Sequence, residues 1–300
     1  MKVKNIKINK ILEFLDSIDI KYKFNGNLND VITNYSSLYE YKSNTITWAR
    51  EFFNLEKYLN CDIKCIILPN SCGEKELYFE NIIYTDNPHK VFFYILDNFF
   101  TDKNIHLLGS NNVISSKAKI GYNVNIGNNC TIEDGVEIGD NTIILNNVVI
   151  SKSVKIGSNC VIKSGAVIGE YGLGYIKEDD GSYRRVPHLG SVIIGNNVDI
   201  GANTTIERGV MEDTVIDSGV KIDDLCQISH NVKIGKNTMI VVNTSIYGSV
   251  KIGQECWIAS SIIRNQVVIG DNVTIGMGSV VTKDISSNMV VYGNPAREKL

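Results

Sequence analysis

The sequence predicts an all-β parallel β-helix built of hexapeptide repeats, with a small α/β domain at its N-terminal end. Three observations point there. From Ile114 an aliphatic residue recurs at every sixth position through Ile120, Ile126 and Ile132 to Ile168; the spacing returns from Ile194 to Ile206, from Ile216 to Ile258 and from Ile263 to Val281. Between these aliphatics, Gly-Asn, Gly-Asp or Gly-Lys often follows directly, and a small residue stands four places on. Residues 1–108 show neither feature. The division that follows is a domain over 1–108, the β-helix over 109–285 and a C-terminal tail over 286–300.

The period decides the architecture. A helix repeats at 3.6 residues and a strand at two, so a sustained spacing of six belongs to neither and marks a coil of stacked repeats. Glycine and asparagine tolerate the positive φ of a sharp corner. The small slot holds Val124, Cys130, Val136, Cys160, Ala166, Val198, Thr204 and Cys226, so its cysteines read as apolar core filler. Three hexapeptides close one coil, and residues one coil apart stack about 4.8 Å from each other. Two segments leave the register: residues 169–193, and a four-residue insertion within 207–215. Both must protrude. The longer one carries Tyr171, Tyr175, Tyr183, Arg184 and Arg185, and is either a solvated tether or a cover that closes over substrate.

In the first domain, INKILEFLDSIDI is an amphipathic helix with Ile11, Leu12, Leu15 and Ile18 on one face. SNTITWA, DIKCIILP and ENIIYTD read as strands, and PHKVFFYILDNFF as a second helix. Such a unit is expected to cap the first coil, whose open edge would otherwise pair with another chain.

Composition excludes several classes. The 30 Lys and Arg balance 33 Asp and Glu to a net charge of −3, with no basic tract or zinc pattern, so nucleic acid is not an expected partner. The seven cysteines form no CxxC pair, MKVKNIKINK is not followed by an apolar export segment, and no apolar run could span a membrane. The expectation is a reduced, cytoplasmic protein with no integral membrane segment.

Residues 174–235, including GANTTIERG and QISHNVKIG, resemble UDP-3-O-acylglucosamine N-acyltransferases of the lipid A pathway, members of the hexapeptide-repeat acyltransferase superfamily. Fainter likeness to that family's uridine-binding domain runs through SSLYEYKSNTITWAR, CIILPNSC and the DNP at 86–88. The resemblance implies a left-handed β-helix, although parallel crossovers are usually right-handed. It also implies a homotrimer, no prosthetic group and no metal, and an acyl thioester as co-substrate. In three places the chain departs from the family, one of them the register slip between Ile258 and Ile263. Gln266 stands where the family has a second active-site histidine, and the ending GNPAREKL resembles acetyl-CoA-dependent sugar acetyltransferases.

Aminolysis of a thioester needs a neutral amine, a base to take its surplus proton and a donor for the oxyanion. Of His89, His106, His188 and His230, only His230 lies in regular coil, two residues past Ile228. An imidazole suits the base, and the family match on QISHNVKIG implies this role. Gly248 follows one coil on, then Asn265 and Lys283, forming one column. The resemblance places the oxyanion donor at Gly248, whose plain alternative is a turn glycine. Asn265 and Lys283 are candidates for donor binding, Lys283 against phosphates or as ordinary surface charge. Asp223 could orient His230 or be a solvated corner acid. Gln266 and Tyr175 are assigned to substrate. Trp48 matches the family aromatic that stacks on uracil; the alternative is a core Trp.

The function expected first is N-acyl transfer from a short acyl-CoA to a nucleotide-linked amino sugar of a surface glycan. The alternative is the lipid A reaction itself, with 3-hydroxyacyl-acyl carrier protein as donor. O-acylation could use the same base. Carbonic anhydrase on this fold needs three histidines on zinc, and a non-catalytic scaffold would leave the column without a task.

Overall fold

A computed structural model describes residues 4–51, 58, 61, 63–73, 77, 79–101 and 108–298. His106 lies outside them. The chain forms two compact units, residues 1–104 and 105–300.

In the first unit, helix α1 (Ile8–Ser17) buries Ile8, Ile11, Leu12 and Leu15 on one face. A five-stranded sheet runs in the order Lys23–Asn25, Ile82–Thr85, Cys65–Pro69, Thr45–Trp48 and Asn34–Tyr35. Only its first pairing is antiparallel. Helix α2 (Pro88–Phe99) starts cleanly: Asn87 caps it by accepting from the Lys90 N–H, and Pro88 occupies a first-turn site where no N–H is missed.

The second unit is a left-handed parallel β-helix. Three sheets of ten, nine and eight short strands form its faces. Asn125 pairs with Ile143 and Thr131 with Val149, a step of one 18-residue coil. The inward isoleucines stack into one continuous core from Ile126 to Val291. Cys130, Cys160, Cys226 and Cys256 are buried in it as free thiols, and burial raises the pKa of the last three.

The corners differ from the expectation in one respect. The left-handed residue is the asparagine three places after the isoleucine, as at Asn123, Asn141, Asn159 and Asn197, with φ between +54° and +58°. The glycine directly after the isoleucine serves close stacking instead. A β-carbon on Gly139 would stand 2.6 Å from the carbonyl carbon of Gly157 on the next coil. Nor does the coil stop at 285. Val290–Tyr292 adds in parallel to Thr274–Ile275 and is closed by Arg297–Glu298, because Val291 still fills a core position.

Ile222 is 2 % exposed in mid-column. Ile222→Ala is expected to cost about 2–5 kcal/mol through lost transfer energy and the cavity left behind. Chemical unfolding followed by far-UV circular dichroism checks this, and an unshifted midpoint would contradict continuous packing.

Candidate functional site around His230

The site is assembled by three register changes in the coil. Thr205 pairs with Gln227 rather than with a residue 18 ahead, the step being 22, so the extra residues between Glu207 and Thr214 bulge outward. One coil earlier Val161 pairs with Asp199, a step of 38, which expels the long loop. Beyond the site, Ser245 pairs with Ile262, a step of 17. Both extrusions meet at the corner that carries His230.

His230 ends the corner after Ile228, and Gly248 occupies the same place after Ile246 on the paired strand. The Ser249 N–H donates to the His230 carbonyl at 2.9 Å, holding the two coils in step. A β-carbon on Gly248 would stand 2.7 Å from His230 Cε1 and 2.8 Å from Nε2. Only a bare backbone fits against that edge of the imidazole. The Gly248 N–H meets no backbone carbonyl among the described residues.

Hydrogen bonding sets the tautomer. Asn231 Nδ2 donates to the Glu212 carbonyl and Asn231 Oδ1 accepts from the Val210 N–H, so the amide has one orientation. Oδ1 lies 3.0 Å from His230 Nδ1. An acceptor there requires hydrogen on Nδ1, which leaves Nε2 of the neutral ring as a free lone pair on the Gly248 side. Glu207 fixes the backbone beneath: Oε2 accepts from the His230 N–H at 3.0 Å, and Oε1 accepts from Gln227 Nε2 at 2.8 Å.

The 169–193 loop is a cover rather than a tether. Tyr175–Lys177 and Tyr183–Arg185 pair as a hairpin. Its stem is clamped by Arg208, 8 % exposed, whose Nε donates to the Gly190 carbonyl and Nη2 to the Lys152 carbonyl. The guanidinium also lies 5.7 Å from the Tyr171 ring centroid. Gly172 packs so closely that a β-carbon would reach His230 Cδ2 at 3.2 Å and intrude on the Glu207 carboxylate. The His188 and His230 rings stand edge to face, 5.8 Å apart. Among the described residues, no group of three His, Cys, Asp or Glu is arranged to hold a metal ion.

The other expected residues divide. Asn265 and Lys283 follow Gly248 in column, each two residues past an inward aliphatic, and both are exposed. Gln266 is also exposed; with φ +64° it forms the next corner, its N–H donating to the Gly248 carbonyl. Asp223 does not orient His230. It follows a strand of the ten-stranded sheet, one corner earlier, and its carboxylate accepts from the Val242 N–H. A six-residue step carries a side chain to the next edge of the prism, so Asn231 and Glu207 hold His230 instead. Tyr175 meets Tyr183 edge to face and lines a cavity of about 540 Å³ with Leu173 and Tyr183; the loop residues against His230 are Gly172 and His188. In the first unit, Trp48 lines a pocket of about 370 Å³ with Ser37, Leu38, Tyr39, Ala49 and Arg50, and its ring meets His89 at 4.9 Å.

Glu207, Asn231, His188 and Gly172 escaped the sequence reading. Asn231 could have been found from its place beside His230, whereas Gly172 and His188 reach the site only through the extruded loop, and Glu207 ends the strand just before the bulge.

Known proteins match this coil. The bacterial transferase hexapeptide (six repeats) profile covers residues 135–170 and 249–283, and a hexapeptide repeat of succinyl-transferase covers 117–152. The UDP-3-O-acylglucosamine N-acyltransferase of Bordetella pertussis is 40% identical over 123 residues, 40% of this chain and 34% of that protein. The enzyme of that name from Cytophaga hutchinsonii is 55% identical over 82 residues, 27% of this chain and 24% of that protein. The matched segment therefore spans about a third or less of these relatives. Among solved structures, the UDP-N-acetylglucosamine acyltransferase of Bacteroides fragilis aligns with a TM-score of 0.58 at 26% identity, over 64% of this chain and 74% of that one.

Asn231→Ala removes the acceptor that holds hydrogen on Nδ1. Long-range ¹H–¹⁵N NMR of the His230 ring should show one tautomer in the parent protein and a mixture in the variant. An unchanged tautomer would mean that another group sets it.

Proposed function

We propose that this chain, a member of the hexapeptide-repeat acyltransferase superfamily, is an N-acyltransferase that moves an acyl group from a thioester to the amine of a UDP-linked amino sugar. One observation carries the reading: the free Nε2 of His230 lies against the bare backbone of Gly248. The printed names of the relatives favour UDP-3-O-acylglucosamine as acceptor over the surface-glycan substrate that the chain ending first suggested. The acyl donor is a carrier-bound thioester, and no prosthetic group takes part.

The amine attacks the thioester carbonyl, and His230 Nε2 takes the surplus proton as the C–N bond forms. The tetrahedral oxyanion accepts from the Gly248 N–H. Collapse breaks the C–S bond, and the imidazolium returns its proton to the leaving thiolate. A base of this kind is worth about 10²–10⁴ in rate, and one oxyanion donor about 10²–10³. Asn265 and Lys283 continue the column in the direction a carrier arm would follow, while Trp48 and its pocket offer a stacking surface for the uracil. Trp257 and Ile262, both more than two-fifths exposed, are apolar surface that a homotrimer would cover.

A thiol-release assay tests the reading, with acetyl-CoA and 3-hydroxyacyl-acyl carrier protein each offered to UDP-3-O-acylglucosamine and to other UDP- and TDP-amino sugars. Release with UDP-3-O-acylglucosamine supports it. Release confined to acetyl-CoA and another amino sugar restores the surface-glycan assignment, and none with any pair points to a scaffold. His230→Ala should lower kcat at least about 10²-fold with the fold retained; near-parent turnover would mean that the amine needs no base here. Gly248→Val fills the space beside Nε2 and should raise the donor KM at least about tenfold, as expected for a blocked approach. An unchanged donor KM would remove Gly248 from the site.

A further inference from the structure

One nitrogen beside His230 has no partner among the described residues. His188 is 3 % exposed, and its Nδ1 lies 3.0 Å from the Val186 carbonyl. A carbonyl only accepts, so the neutral ring carries its hydrogen on Nδ1 and presents Nε2 as an acceptor. That Nε2 is buried and receives no hydrogen bond. Leaving a buried acceptor unmatched costs about 1–3 kcal/mol, so its presence in a tightly held loop calls for a donor brought by a ligand.

The surroundings narrow the donor. The His188 and His230 rings stand edge to face, with centroids 5.8 Å apart. The Cε1–Nε2 edge of His188 lies beneath Gly174, where a β-carbon would stand 2.9 Å from Cε1 and 3.6 Å from Nε2. Gly172 packs on His230, so the single stretch Gly172–Gly174 covers both imidazoles. The place beneath it belongs to the nucleophile, because His230 Nε2 must reach the proton it removes. An amine brings two N–H bonds there, and His230 accepts from only one of them. The other would be shut away from water without an acceptor, unless a second lone pair stands close. Acceptors on the two N–H bonds of one tetrahedral nitrogen lie about 5 Å apart, a separation that rings at this spacing allow.

We propose that His188 Nε2 accepts the second N–H of the reacting amine, once the Gly172–Gly174 stretch lifts to admit it. This rests on the N-acyl transfer reading. With one N–H on each imidazole, the nitrogen lone pair is left for the thioester carbonyl. The C–N bond forms as His230 takes one proton. The hydrogen held by His188 stays on nitrogen and becomes the N–H of the product amide when the C–S bond breaks. A hydroxyl nucleophile has a single hydrogen and would leave one of the two nitrogens unmatched, so the pair selects an amine.

The test compares the amino sugar that releases thiol, UDP-3-O-acylglucosamine on the present reading, with its N-methyl derivative, whose amine has one N–H. The preference for the primary amine is the ratio of the two kcat/KM values. Where the derivative turns over too slowly, its inhibition constant is set against the acceptor KM instead. His188→Phe keeps a ring in place but deletes the acceptor, and should shrink the preference about tenfold, the size of one hydrogen bond. Nucleophilicity and bulk of the methylated amine enter parent and variant alike and cancel between them. His188→Gln, whose amide oxygen can accept, should restore part of the preference, and the donor KM should hold in both variants. His188→Leu serves as the second deletion if the Phe variant loses its far-UV circular dichroism. An unchanged preference, as for a nitrogen that only holds water, would overturn the assignment, and so would equal losses with both amines, the mark of damaged packing. Release by the parent with either of those results sinks His188 alone, whereas no release from any amino sugar sinks the acyl-transfer reading as well.

Discussion

Everything in the second unit depends on the ladder of backbone hydrogen bonds that joins each coil to the next. Because Gln227 pairs with Ser245 and Ile228 with Ile246, the residue two places on must fall beside its counterpart one storey above. His230 and Gly248 are neighbours for that reason alone. The ladder is cooperative in the simplest sense, since a slip at one strand would turn every following side chain toward a different edge. The isoleucine column prevents the slip, because each step out of register would bring polar residues into the core.

Function enters where the ladder is disturbed. A perfectly periodic prism presents the same shallow corner on every storey and nowhere to enclose a substrate. Extruding the 169–193 loop brings Gly172 and His188 against one imidazole, and the bulge after Glu207 supplies Arg208 to clamp the loop and carbonyl and N–H partners for Asn231. The enclosure is maintained by groups that must be satisfied once buried: the Arg208 guanidinium on two carbonyls and a tyrosine face, and Glu207 on a backbone N–H and Gln227. These bonds hold the stem of the loop. The double-glycine stretch over the rings has no comparable anchor on Leu173, so the part best able to move is the part that covers the site.

The orienting group for His230 is an amide. Its oxygen fixes the tautomer as a carboxylate would, without placing a full negative charge against Nδ1. A carboxylate is still close, at Glu207, but it is spent on the His230 backbone N–H. The division leaves the ring's second nitrogen toward the glycine.

The sequence by itself determined the coil. Period six, the small slot and the Gly-Asn corners give the architecture, and counting repeats places His230, Gly248, Asn265 and Lys283 in one column, because a regular solenoid turns sequence distance directly into spatial distance. That conversion fails wherever the repeat is broken. Counting left Asp223 either beside His230 or as a solvated corner acid, and it could not say that Gly172 and His188 meet the ring or that Glu207 holds the backbone beneath it. Nor could it say that the corner glycines serve stacking rather than positive φ. Those facts belong to the tertiary structure, since an extruded segment has no period to count and its place is set by which buried polar groups find partners as it folds back.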